Sequence, residues 1–119
     1  MTAATTVRAF GAYLWVLGTL LLLLPALVLT PFGLAEPDDV WIRVVGVLVI
    51  NIGSYYWFGA RDEQPRFLLA TVWARFFVLA AFIGFVVAGL APAMLIAFGV
   101  VDSAGALWTW MVLRKQIAR

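Results

Sequence analysis

The 119-residue sequence contains neither cysteine nor histidine. Their absence removes disulfides, thiol redox chemistry, the usual zinc ligand sets and histidine-ligated haem. It also removes the side chain most often used as a general base near neutral pH. Charge is scarce too: Asp, Glu, Lys and Arg make up 12% of the chain, against about 25% in a soluble domain. Hydrophobic residues make up 66%, more apolar surface than one domain of this length can bury in its own interior. The outer surface must therefore face lipid. A net charge of +2 is explained by where the basic residues fall, and no nucleic-acid partner is expected.

What the sequence does have is long apolar runs. A spanning helix needs about 20 mostly apolar residues, because the hydrocarbon core is about 30 Å thick and each residue rises about 1.5 Å. Four stretches qualify, at 10–29, 40–59, 67–89 and 92–113. The segments between them read as connections: "TPFGLAEPDD" with its turn formers and acids, the charged "GARDEQPR", and the tight "GLAP". Pro92 suits the first turn of the fourth span, and Pro25 should bend the first, since it cannot donate to the Leu21 carbonyl. The first run exceeds the 7–15 residues of a signal-peptide core, so it counts as a span. Short connections make successive spans antiparallel. The expected fold is all-α: one transmembrane domain over 1–119, an up-down four-helix bundle.

Orientation follows from charge. Arg8, Arg61, Arg66, Arg114, Lys115 and Arg119 fall at one face, and Arg43 at the other. The positive-inside rule then puts both termini in the cytoplasm, in a bacterial inner membrane. Glu36, Asp38 and Asp39 face outward. Asp38 or Asp39 is expected to cap the second span in preference to binding a divalent cation, and no metal site is expected. Arg61 and Arg66 sit in a solvated loop within reach of anionic lipid. Most aromatics lie toward the cytoplasmic end, as a headgroup belt or as a pocket around Tyr56, Trp73 and Trp108.

Helices in lipid associate through small residues and polar contacts. Gly11 and Gly18 on the first span, and Gly46 and Gly53 on the second, are spaced for close approach. Ala80, Gly84 and Ala88 on the third span, and Gly99 with Ser103 and Ala93 with Ala97 on the fourth, offer similar stripes.

Two charges stand out inside these runs: Arg75 in the third and Asp102 in the fourth. An ionisable residue near the bilayer centre costs about 2.5–3.5 kcal/mol on insertion scales and usually faces the bundle with a partner. Counting about 1.5 Å per residue from Arg66 and Arg114 puts them about 13 Å and about 18 Å deep. A buried Arg75–Asp102 pair is expected, joined by Asn51, Tyr55, Ser103 and Thr109. It would either lock the helices or form a polar core that binds a ligand. A carboxylate held by a guanidinium makes a poor proton carrier, so Arg75 is expected to meet an anion or a polar headgroup.

With "WIRVVGVLVINIG" carrying Arg43 into the second span, then Arg75 and Asp102, residues 40–113 resemble the DoxX-like small four-helix bacterial membrane proteins and their uncharacterised relatives. The resemblance implies an accessory membrane subunit, some relatives being associated with quinone-linked sulfur oxidation or with complexes that resist oxidative stress. The small multidrug exporters match in size, but their essential glutamate belongs in the first span, which is uncharged here. Three function classes follow. The first is a non-catalytic accessory subunit or hydrophobic-ligand-binding bundle, without catalytic residues or a required cofactor. It would have the bilayer and a membrane-protein partner or a second copy as company. The second is a homo-oligomeric transporter of a small molecule or ion through the interior around Arg75, Asp102 and Asn51. The third is a redox-complex subunit holding quinone between Tyr55, Tyr56, Trp73 and Trp108.

Overall fold

The computed structural model describes residues 1–35 and 40–118. The acids Glu36, Asp38 and Asp39, with their expected capping role, and Arg119 lie outside the described residues. Every element among the described residues is helical: α1 Ala3–Leu23, α2 Pro25–Leu29, α3 Trp41–Gly59, α4 Pro65–Val87 and α5 Leu95–Ala118. Short 3-10 turns at Thr30–Phe32 and Ala60–Asp62 extend α2 and α3. Four helices are long and apolar enough to cross a membrane. The molecule measures 50 × 29 × 19 Å, and its long axis covers a bilayer of about 40–45 Å including headgroups.

Local chemistry sets the helix ends. Thr2 caps α1, its hydroxyl accepting from the Thr5 N–H at 3.2 Å, so this helix begins seven residues before the expected span. At its far end Pro25 does more than bend the helix. Leu24 leaves helical geometry (φ −138°, ψ 60°) and Pro25 opens the separate helix α2. Beside this break the Leu22 carbonyl accepts from Arg43 Nη1 on α3. That contact gives the basic residue at the acid-rich face a structural role. Pro65 starts α4 as its first residue. Pro92, by contrast, stays outside α5: it sits in the preceding turn, where its carbonyl accepts from the Leu95 N–H at 3.0 Å. Gly89, at φ 78°, provides the left-handed residue that closes α4.

The helices pack as two pairs, α1 with α3 and α4 with α5. In the first pair the glycines face each other directly. A Cβ on Gly11 would lie 2.8 Å from the Gly53 carbonyl oxygen, and one on Gly18 2.7 Å from that of Gly46. Residue 11 meets 53 while 18 meets 46, so the two helices run in opposite directions. Trp15 Nε1 donates to Ser54 Oγ at 2.9 Å across the same seam. In the second pair Gly99 lets α5 approach the Leu79 backbone, 2.9 Å from a Cβ placed there.

The small stripe of α4 is used differently from expectation. Ala80, Gly84 and Ala88 are exposed, and nothing lies within 4 Å of a Cβ on Gly84. The pairs meet mainly near the chain ends, where Ala3, Ala4, Val7, Ala60, Leu68 and Leu113 form one apolar cluster. There the Ala3 N–H donates to Gln116 Oε1 at 2.6 Å, which brings both chain ends to one end of the bundle. Toward the opposite end, Leu21, Val28 and Leu29 pack with Ile42 and Phe98.

These contacts set a contrast. Gly18→Ala should lower stability by about 1–3 kcal/mol, the usual cost of forcing atoms into a packed seam. Gly84→Ala should change it by less than about 0.5 kcal/mol, as substitutions away from contacts do. Thermal unfolding of the two variants in the same detergent measures both.

Candidate functional site

Arg75 is buried, with 1% of its surface exposed, and its guanidinium is held by threonines. Nε donates to the Thr71 carbonyl at 3.0 Å, and Nη2 donates to Thr71 Oγ1 at 3.2 Å and to Thr109 Oγ1 at 3.0 Å. Thr71 Oγ1 in turn donates to the Leu68 carbonyl at 2.7 Å. Thr6 Oγ1 donates to the Ala3 carbonyl at 2.6 Å and also lies 2.6 Å from Thr109 Oγ1. Each hydroxyl has one proton, so Thr109 must donate to Thr6 while accepting from Arg75. One directed chain of hydrogen bonds thus runs from α4 through α5 to the first turn of α1. The ring of Phe10 lies 4.8 Å from the guanidinium carbon and that of Tyr56 5.7 Å, and their faces add cation–π attraction.

The expected ion pair is not formed. Arg75 turns to Thr71 and Thr109, and Asp102 accepts no hydrogen bond from the described residues. Helix geometry supplies the reason. Cα–Cβ bonds tilt toward the N-terminus of their own helix. Thr71 lies one turn toward the start of α4, and Arg75 leans to it. Asp102 is on α5, which packs against α4 in the opposite direction, and so leans the other way. The offset in depth read from the sequence is widened by this divergence.

Arg75 and Asp102 nevertheless face one space. A cavity of about 580 Å³ lies between the two helix pairs, within the range of about 300–1,000 Å³ for small-molecule sites. Both charged residues line it, together with Tyr13, Tyr55 and Tyr56. Its remaining wall is aliphatic and aromatic, from Phe10 and Phe67 near the chain ends to Leu34, Ile42 and Leu95 at the other. Arg75 Nη1 is buried and has no hydrogen-bond partner among the described residues, an expensive condition for a donor.

The other expected site residues divide. Tyr55 and Tyr56 line the cavity. Asn51 is exposed on the outside of α3 and does not join them. Ser103 has a buried Oγ without a partner among the described residues but is not part of the cavity wall. Trp73 and Trp108 are 62% and 42% exposed, so the pocket expected between Tyr56, Trp73 and Trp108 is not assembled. Among the described residues no cluster of acids suited to a metal is present. Sequence reading did not single out Thr71, Thr6, Phe10 or Tyr13 as site residues. Thr71 had a visible signal, since it precedes Arg75 by four residues and so shares its face.

No family model matches the chain, and neither a curated protein nor a solved structure is significantly similar to it.

Thr109→Val should therefore cost about 1–3 kcal/mol by leaving a buried donor unpaired, and Arg75→Met added to it should restore part of that loss. Asp102→Asn, which removes a charge with no hydrogen-bond donor from inside a span, should not lower stability. Denaturation midpoints of the three variants in detergent test this ordering.

Proposed function

We propose that this chain is a non-catalytic membrane protein that holds a hydrophobic ligand inside its bundle. In this reading it is an up-down four-helix protein of a bacterial inner membrane, with both termini in the cytoplasm. The shared end of the bundle carries Arg8, Arg61, Arg66, Arg114 and Lys115, which supports that orientation. It would serve as an accessory subunit, as the charge pattern shared with DoxX-like proteins suggests, beside a membrane-protein partner or a second copy.

One observation carries the binding reading: an apolar cavity of about 580 Å³ between the helix pairs, with an arginine and an aspartate in its wall. Its ends favour holding over conduction. The apolar cluster of Ala3, Val7, Leu68 and Leu113 closes off the chain-end side. Opposite it, the rings of Phe32 and Phe98 lie 4.5 Å apart. A transporter would need an opening at each of these layers in turn. A quinone held between Tyr55, Tyr56, Trp73 and Trp108 loses support from the outward position of the two tryptophans.

Val49 lines the middle of the cavity, so Val49→Trp fills it from the α3 side. Binding of a pyrene-labelled alkane to the protein in phosphatidylcholine nanodiscs should weaken at least about tenfold, the loss of about 1.4 kcal/mol, while helical content stays unchanged. Undiminished binding would overturn the proposal.

A further inference from the structure

A second groove, of about 360 Å³, lies where α4 begins and α5 ends, large enough for a small-molecule site. Leu69, Leu113 and Ile117 supply its apolar wall, and Arg66, Trp110 and Arg114 supply its polar groups. On each helix these residues fall three or four apart, or at sums of those steps, so they share one face. Both helices are long and apolar enough to cross a membrane. The ends of a span meet the headgroups, and that is the level at which this groove opens.

The polar side chains of this groove donate and do not accept. Guanidinium and indole groups carry only donors, and no acid lines the groove. Asp62 and Glu63 stand in the turn before α4, yet neither is part of the wall. Among the described residues, Arg66 and Arg114 form no ion pair with them. The Arg114 guanidinium carbon lies 5.0 Å from the Trp110 ring, a cation–π contact that restrains the side chain without using its N–H groups. No side chain caps α4, so the positive end of its dipole adds to the two charges. A phosphate with an uncompensated negative charge satisfies such a wall. A zwitterionic headgroup brings a cation that finds no carboxylate there. The three apolar residues, two of them exposed, offer a surface that an acyl chain covers and a free phosphate does not.

We infer that this groove binds an anionic phospholipid, its phosphate meeting Arg66 and Arg114 and its acyl chain lying on Leu69, Leu113 and Ile117. The assignment stands apart from the cavity between the helix pairs and from what that cavity holds. It accords with the way basic pockets between spans take anionic headgroups.

Native mass spectrometry of the protein in a neutral detergent tests this, with equal amounts of dioleoylphosphatidylglycerol and dioleoylphosphatidylcholine competing for it. The phosphatidylglycerol should be retained at least about tenfold over the phosphatidylcholine, and Arg66→Gln or Arg114→Gln should each lower that preference about fivefold. Both arginines are exposed, so these variants keep the fold, which circular dichroism of the same samples verifies. Lys115→Gln removes an exposed charge at the same end but outside the groove, and should leave the preference as it is. Equal retention of the two lipids by the native protein overturns the proposal. So does a Lys115→Gln protein that loses as much preference as the Arg66→Gln protein, because the charges would then act as a diffuse patch. Displacement of phosphatidylglycerol by an equal concentration of glycerol 3-phosphate overturns the lipid assignment in favour of a free phosphate ester.

Discussion

A guanidinium cannot sit unsolvated inside a membrane-spanning bundle, and the way Arg75 is solvated by its neighbours organises much of this molecule. Its Nε and Nη2 are taken by Thr71 and Thr109, and Thr109 passes the chain of hydrogen bonds to Thr6 and the Ala3 carbonyl. Three helices are therefore tied at one level by groups that have no bulk water to turn to. In lipid such ties matter because burial of apolar surface gives helices little reason to associate. Threonine is well suited here, because its methyl packs against apolar neighbours while its hydroxyl accepts from the arginine and donates onward.

This tie and the glycine seam divide the work of closing the bundle. Gly11, Gly18, Gly46 and Gly53 bring α1 and α3 to backbone contact, while the threonine chain joins α4 and α5 to α1 near the chain ends. Among the described residues no comparable hydrogen-bonded device joins the pairs farther along, where Leu17, Val49 and Phe82 line the cavity. The cavity follows from that asymmetry, with one tight pair, a second pair leaning on it at the ends, and a gap between.

Much of this was legible in the sequence, and the failures share a cause. The spans were visible because about 20 apolar residues in a row admit few alternatives. The seven-residue glycine spacing on the first two spans marked surfaces that do meet. The same reasoning misplaced the stripe of Ala80, Gly84 and Ala88, since small residues show where approach is allowed and not where it happens. Asn51 was placed by depth alone. It lies about 160° round the helix from Gly53 at about 100° per residue, so the glycine seam already turned it outward. Trp73 is separated from Arg75 by the same two residues and faces away for the same reason. Direction round the helix was neglected.

Direction also decides what the two buried charges can do. Had Arg75 and Asp102 sat on parallel helices, their side chains would lean the same way and could close on each other, leaving a neutral lock with no free valence. On antiparallel helices they diverge toward their own N-termini. The guanidinium then finds threonines, one of its nitrogens remains without an acceptor among the described residues, and the carboxylate is left facing the cavity. The helix direction that defeats the simple salt bridge thus leaves Asp102 in the cavity wall while Arg75 is bonded to the threonines.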